Sequence, residues 1–257
     1  LTLVGRELTV TTREGRALLT SVDVTFRAGA VTVVLGENGA GKSTLLDALA
    51  GVRALSSGTV SLDGDDVHSL SPFARACRIA SLAQTAPFSP LSSTLERIAH
   101  GLVQERGKRA LLDGAAIDRV REIAHTLDVD GLLDKELGTL SGGERRRVEI
   151  ARALVDPRPG VVILDEPYAG IDIARRSRIG AALRARARAG AIVVVSVHEI
   201  DVALAVGDTF IGIRDGRVAS QRDVLDDGFV RDVFGVDARI VQEGVYAGAL
   251  LSVASRD

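Results

Sequence analysis

Gly36-Glu37-Asn38-Gly39-Ala40-Gly41-Lys42-Ser43 decides how this chain of 257 residues is read. The spacing is G-x-x-x-x-G-K-[ST], with the apolar run Val31–Leu35 before it and a helical pattern over residues 42–50 after it. Glycines let backbone N–H groups turn inward as a nest for phosphate oxygens, where a Cβ would obstruct. The following helix aims the positive end of its dipole at the same point. In such a cradle Lys42 neutralises the β- and γ-phosphates, and the Ser43 hydroxyl serves Mg²⁺. At this chain's own residue frequencies a chance match is expected roughly 0.004 times, so the stretch reads as a nucleotide site, not an accidental glycine turn. No Asn-Lys-x-Asp guanine reader exists, because none of the three lysines (Lys42, Lys108 and Lys135) follows an asparagine.

Outward from this stretch, strand-length apolar segments alternate with longer helical patterns, which predicts an α/β fold with a largely parallel sheet. Val31–Leu35, Val161–Leu164 and residues 191–197 are too continuously apolar for a half-exposed sheet. Residues 60–62 and 79–82 read as shorter strands. Residues 1–12 and 19–26 alternate, which suggests an antiparallel portion flanking the core. From about residue 94 to 155 the strand signal disappears, and Ile117, Val120, Ile123, Ala124 and Leu127 fall at helical spacing. That stretch reads as a helical lobe inserted between strands, with helices packed on the main sheet as the alternative. The tail from residue 216 predicts a turn, a helix around 224–234 and a strand over 238–242.

Composition narrows the class. With 46% hydrophobic and 26% charged residues the chain can bury a substantial core. Thirty-two basic against 34 acidic residues give a net charge of -2, which argues against a dedicated nucleic-acid binder. The single cysteine, Cys77, excludes an internal disulfide or a cysteine zinc cluster. No apolar run approaches the roughly 18 residues of a membrane span, and no secretory signal opens the chain, so an intracellular protein is expected.

Ligands of a parallel sheet sit outside the carboxyl ends of its strands. Three apolar runs end in chemically capable residues: 31–35 in the phosphate loop, 161–164 in Asp165-Glu166-Pro167, and 191–197 in His198. If these strands are parallel, the groups share one edge. Asp165 is then the Mg²⁺-side carboxylate, Glu166 orients and polarises the attacking water, and His198 hydrogen-bonds the γ-phosphate or the water. Alone, a carboxylate pair after a strand reads as a solvated turn and a lone histidine as structural; beside a phosphate loop both readings reverse. Leu140-Ser141-Gly142-Gly143-Glu144 forms a capping box, Ser141 at the N-cap and Glu144 three residues on, opening a helix through Leu154. A capped helix start behind two glycines is also an anion site. Arg145, Arg146 and Arg147 read as the solvated face of that helix.

Together these residues resemble the ATP-binding cassette (ABC) ATPases over essentially the whole chain. Residues 36–43 resemble the Walker A motif, 140–144 the LSGGQ-type signature with Glu for Gln, and 161–166 Walker B with the catalytic glutamate. Gln84 is placed like the Q-loop glutamine, Ala169-Gly170-Ile171-Asp172 resembles the D-loop, and His198 the switch histidine. The resemblance implies one nucleotide-binding domain of P-loop NTPase (RecA-like) fold: a mostly parallel sheet, an antiparallel β portion and an inserted helical subdomain. Its core would comprise about residues 1–85 and 155–220, the helical subdomain about 86–154, and a C-terminal extension about 221–257. ATP and Mg²⁺ are the implied cofactors. Residues 36–43 with Thr44, and Ser141, Gly142 and Gly143, would contact nucleotide; Ser43, Gln84 and Asp165 would serve the metal; Glu166, His198 and Gln84 would be catalytic.

The resemblance also implies partners. Two cassettes, a homodimer in the simplest case, would close head to tail, so that Ser141 and Gly143 of one touch the γ-phosphate held by the other. Transmembrane permease subunits would be contacted near residues 84–93 and an extracytoplasmic substrate-binding protein served indirectly. That places the chain at the cytoplasmic face of the membrane, with no nucleic acid involved. In the tail, Asp215-Gly216-Arg217-Val218 and Val233-Phe234-Gly235-Val236-Asp237-Ala238-Arg239 are similar to ATPases of iron-siderophore, haem and cobalamin importers. The alternatives are an ABC ATPase serving iron–sulfur assembly, or an importer of another substrate. Three positions depart from the family pattern: no aromatic stands near Thr11 and Thr12, where adenine is usually stacked, Tyr168 follows Glu-Pro, and Ala83 precedes Gln84. Arg13 or Arg16 could stack on adenine instead, or simply face solvent.

Overall fold

The computed structural model describes residues 1–82, 89–102, 113–243 and 246–251. Gln84 and Ala83 lie outside the described residues. The chain opens with β1 (Thr2–Thr11) and β2 (Ala17–Arg27), then β3 (Val31–Leu35), the phosphate loop and α1 (Lys42–Leu49). A further hairpin, β4 (Ser57–Leu62) and β5 (Asp65–Asp66), leads to α2 (Pro72–Arg78) and β6 (Ile79–Leu82). The helices α3 (Thr94–Ala99), α4 (Gly114–Thr126) and α5 (Gly142–Leu154) follow. Next come β7 (Val161–Leu164), α6 (Ile173–Arg188), β8 (Ile192–Ser196), α7 (Ile200–Val206), β9 (Thr209–Arg214) and β10 (Arg217–Arg222). The chain closes with α8 (Asp227–Phe234) and a hairpin of β11 (Ala238–Glu243) with β12 (Tyr246–Leu251).

Two sheets carry the architecture. The larger runs β10-β9-β3-β8-β7-β6, parallel from β9 to β6, with β10 added antiparallel through the turn at Asp215 and Gly216. The smaller is antiparallel, in the order β2-β1-β4-β5. The expected mixture of a mostly parallel sheet with an antiparallel portion is what forms.

The continuous apolar runs have a structural cause: both faces of the parallel sheet are covered. Val31, Val33 and Leu35 of β3 point into one apolar cluster with Val162, Leu164, Val193 and Val195. Val34 joins Val161, Ile163, Ile192 and Val194 on the other face. On that second face α1 is sandwiched between the two sheets, its Leu45, Leu46 and Leu49 buried against Leu3, Leu8 and Leu19. Full burial of each such side chain stabilises by about 1.5–3 kcal/mol. This rigidly seats the helix that follows the phosphate loop.

Among the described residues of the 94–155 stretch, three α-helices form. α4 packs chiefly on α3 and α5, and α5 in turn rests on β6 and β7. One apolar cluster runs without a break from Ile98, Val120 and Val148 to the sheet. Glu149 of α5 receives the Arg97 guanidinium of α3 (2.6 Å) and that of Arg152 (2.8 Å), so a charged knot as well as apolar packing joins α3 to α5.

Candidate functional site

The phosphate loop leaves β3 and enters α1 through backbone shapes that only glycine adopts cheaply. Gly41 has φ +111°, and a Cβ there would sit 2.9 Å from the Leu18 carbonyl oxygen. A Cβ on Gly36 would collide with the Ile213 carbonyl. The loop is therefore wedged between the β2 start and β9.

Its helix is capped unlike most of the others. α2, α3, α4, α5, α6 and α8 each open on a Ser or Asp side chain that accepts a backbone N–H. α1 opens on Gly41 with no side-chain cap. The first-turn amides of a helix have no partners of their own, and here they are left to an external acceptor.

Lys42 is buried. Its Nζ donates to the carbonyls of Gly36 (2.8 Å) and Glu37 (3.0 Å), which holds it across the loop. Burial lowers its pKa, while the nearby carboxylates of Glu166 and Asp165 act in the opposite direction. An ammonium group held dry beside two carboxylates gains from a polyanion that takes up its remaining hydrogen-bonding capacity. Glu37, Asn38 and Gly39 are exposed, Ala40 is buried, and Ser43 and Thr44 are half-buried in the first turn of α1.

Because β3, β7 and β8 are parallel, with β8 between the other two, their carboxyl ends meet at one edge. Asp165 follows β7 and is buried; Glu166 is half-exposed. Glu166 and His198 line a common crevice with Tyr168 and Ser196. The imidazole is exposed, its Nε2 3.8 Å from Glu199, and Glu199 is in turn held by Arg176 through two hydrogen bonds of 2.7 and 3.0 Å. Tyr168, at a position where the resemblance expects Thr or Ser, is buried and pushes its ring into the main core. Burial raises its hydroxyl pKa well above the ordinary tyrosine value.

Ser141, Gly142 and Gly143 are elsewhere. Ser141 and Glu144 form the expected capping box. Ser141 and Gly143 line a crevice of about 390 Å³ with Gly170, Ile171, Asp172 and Arg175, and no phosphate-loop residue reaches it. A Cβ on Gly143 would stand 2.8 Å from the Gly170 carbonyl, so the first turn of α5 and the loop after β7 meet backbone to backbone.

The arginines after the signature correct the sequence expectation of a solvated face. Arg147 is buried and donates to the Leu127 carbonyl (3.3 Å) and to the Asp128 carbonyl and carboxylate. Arg146 turns toward the sheet and donates to the carbonyls of Asp165 and Glu166. Guanidinium groups can be buried where carbonyls take up part of their fixed fork of donors, as they do here although the Arg146 Nε is buried without a partner; a helix-face count does not register this. Ser196 belongs to no motif in the sequence, yet it accepts the Glu166 N–H (2.8 Å) and donates to Asp165 Oδ1 (2.5 Å). The available signal was a hydroxyl ending a strand that is otherwise Ile-Val-Val-Val.

Residues 19–169 match the family model described as "ABC transporter". The chain belongs to the ABC transporter family. It is 36% identical over 250 residues to the hemin import ATP-binding protein HmuV of Rhodococcus jostii, spanning 96% of this chain and 84% of that one. HmuV of Bordetella pertussis is 36% identical across 99% of this chain and its own entire length. The cobalamin import ATP-binding protein BtuD of Halobacterium salinarum is 37% identical over 88% of this chain, which spans 56% of that protein. Among solved structures, the dimeric bacterial cassette MJ0796 superposes with a TM-score of 0.79 at 25% identity, covering 87% of this chain and 99% of that one. This ABC ATPase therefore binds and hydrolyses ATP as the ATP-binding subunit of a transporter. No helix among the described residues is long and apolar enough to cross a membrane.

The residues at the strand edge also fit Mg²⁺. Among the described residues no group of three or more His, Cys, Asp or Glu side chains could hold a metal by itself. Magnesium bound together with phosphates needs only one or two protein oxygens, and the Asp165 carboxylate and Ser43 hydroxyl are such hard donors.

Proposed function

We propose that this ABC ATPase powers import of an iron-siderophore, haem or cobalamin through a permease on separate chains. It would be held by that permease at the cytoplasmic face of the membrane, and two copies would close head to tail over ATP. The near-full-length likeness to hemin import ATPases, and a likeness to a cobalamin import ATPase over 56% of that protein, support the substrate class. The observation that carries the mechanism is the division of the site. Lys42, Asp165, Glu166 and His198 gather at one sheet edge, whereas Ser141 and Gly143 open a crevice that the phosphate loop does not reach. One copy thus holds two unlike half-sites, and a second copy completes each of them.

In this reading the loop amides of residues 36–41 and the α1 N-terminus, with Ser43 and Thr44, bind the triphosphate, and Lys42 neutralises its β- and γ-phosphates. Ser43 and Asp165, with Gln84, would hold Mg²⁺, which when bound neutralises charge on the transferring phosphoryl group. Glu166 accepts the proton of the attacking water. His198 donates to the γ-phosphate, and Ser141, Gly142 and Gly143 of the second copy cover it. The solvent-side lip of the Glu166 crevice, where His198 lies, would be closed by that copy.

The test is reconstitution in liposomes with a permease and binding protein encoded beside this chain. ATP-dependent uptake of one of the three chelate classes, lost on omitting the cassette, is the expected result. Robust ATPase activity with no permease that binds the cassette would favour an assembly ATPase and end the import reading.

A further inference from the structure

We infer that Ser196 and Arg146 are positioning residues that clamp the backbone of Glu166 from two sides, setting the base and the neighbouring carboxylate as one rigid unit. The inference rests on the roles given above to Asp165 and Glu166, and extends them to two side chains that would act through the backbone of Glu166 and the carboxylate of Asp165.

The starting point is a backbone outlier. Glu166 has φ +47°, the left-handed region that a non-glycine residue adopts at a cost. Such a conformation persists only where its surroundings over-determine it. Here they do. Ser196 Oγ, fully buried at the end of β8, accepts the Glu166 N–H at 2.8 Å. The Arg146 guanidinium, arriving from α5, donates to the Glu166 carbonyl at 2.9 Å and to the Asp165 carbonyl as well. Both backbone polar groups of the strained residue are thereby held by side chains from separate elements.

Ser196 does more than complete a backbone bond. Its proton goes to Asp165 Oδ1 at 2.5 Å, so one hydroxyl joins the orientation of the Asp165 carboxylate to the backbone of Glu166. A buried hydroxyl is expensive unless its bonds are made, and here it both donates and accepts. Arg146 hydrogen-bonds the Asp165 and Glu166 carbonyls in this region and is linked to the Asp165 and Glu166 carboxylates by charge attraction. The two clamps therefore predict different phenotypes: loss of Ser196, which hydrogen-bonds the Asp165 carboxylate itself, should disturb both the metal-side carboxylate and the base, whereas loss of Arg146 should disturb chiefly the base.

The experiment uses the full chain with Ser196→Ala, Ser196→Thr and Arg146→Met. It measures kcat and KM for ATP, the magnesium concentration giving half-maximal rate, and binding of a fluorescent ATP analogue in EDTA. Ser196→Ala should lower kcat by about ten- to a hundredfold and raise the magnesium midpoint by a similar factor, the usual effect of removing a partner that orients a metal-side group. Magnesium-free analogue binding should be unchanged, and Ser196→Thr, which keeps the hydroxyl, should recover most of the loss. Arg146→Met should lower kcat by about tenfold, with a magnesium midpoint that moves far less than in Ser196→Ala. A wild-type kcat in Ser196→Ala, or Thr no better than Ala, overturns the inference. So does a magnesium midpoint that shifts equally in the Arg146 and Ser196 variants. Should Ser196→Ala not fold, the near-isosteric pair Ser196→Thr and Ser196→Val makes the same comparison. Glu166→Gln separates the two layers of argument: if it still turns over, the role of Glu166 fails first, whereas if it is inactive and Ser196→Ala is normal, only the clamp fails.

Discussion

The strand edge and the signature crevice, proposed above as two half-sites, are built on opposite physical plans. The strand edge sets buried charge under an open rim: buried Lys42 and Asp165, a strained Glu166, and an α1 N-terminus without a side-chain cap, all seated on a sheet buried on both faces. The signature crevice is open and polar. Its helix start is already satisfied by Ser141 and Glu144, and its rim is an ion-pair chain from Asp128 through Arg175 to Asp172. The first plan suits holding and cleaving a polyanion where charge interactions are strong; the second suits a surface that meets another copy and lets go. Chemistry and docking thus make different demands on one chain, and breaking each half should give a different failure.

The sharpest break is Ser141→Arg, which puts a long cation into the docking crevice. In a Glu166→Gln background, analytical ultracentrifugation with ATP should show dimers, and adding Ser141→Arg should abolish them. Persistent dimers would count against the crevice as the meeting surface. Glu166→Gln alone should keep ATP binding and slow hydrolysis on the order of a hundredfold or more, the usual worth of a positioned base. Near-normal turnover in the purified variant removes Glu166 from that role. Lys42→Ala should weaken equilibrium ATP binding about tenfold or more, since a charge-assisted contact in a dry site is lost. Unchanged affinity by calorimetry would contradict the cradle assignment.

A fourth break lies between the two regions. Glu149 is buried, which alone would raise its pKa, but its hydrogen bonds with Arg97 and Arg152 outweigh burial and hold it below the ordinary glutamate value. A lowered carboxylate pKa adds stability that is complete above the unfolded-state value and disappears as pH falls through the folded one. Glu149→Ala should cost about 2 kcal/mol at neutral pH, somewhat under the fully buried range because the pair keeps a little water contact. It should also flatten the acid limb of a stability-against-pH profile, and a profile parallel to wild type would show that the knot contributes nothing there.

The same contrast explains what could be seen in the residues beforehand. Strand β3, the glycines after it and the Asp165-Glu166 pair are local features, each written in consecutive residues, and their meeting follows from the parallel order alone. Arg146, Arg147 and Ser196 depend on partners 19 to 31 positions away. Helical spacing places all three arginines after Glu144 at one helix end, but it cannot tell which carbonyl each will find. β5 escaped notice because two aspartates in a row carry no strand signal; they pair only because β4 is already in place.

The mildest break tests whether the capping box and the docking surface are separable. Ser141 Oγ accepts the Glu144 N–H at 3.3 Å and donates to the Glu144 carboxylate at 2.7 Å, and the same carboxylate accepts the Ser141 N–H at 2.9 Å. Those bonds hold the Glu144 pKa below its ordinary value. Ser141→Ala removes the hydroxyl without adding bulk, so it should cost about 1 kcal/mol of stability in the nucleotide-free protein, the ordinary worth of a serine cap. If capping were the whole role of Ser141, Ser141→Asp, which restores a cap, would restore dimerisation as well. On the docking plan it should restore stability and still oppose closure, because a carboxylate then faces the partner's γ-phosphate. Melting curves and ATP-dependent sedimentation of this pair of variants would therefore move in opposite directions, and parallel movement would reduce the crevice to a well-capped helix start.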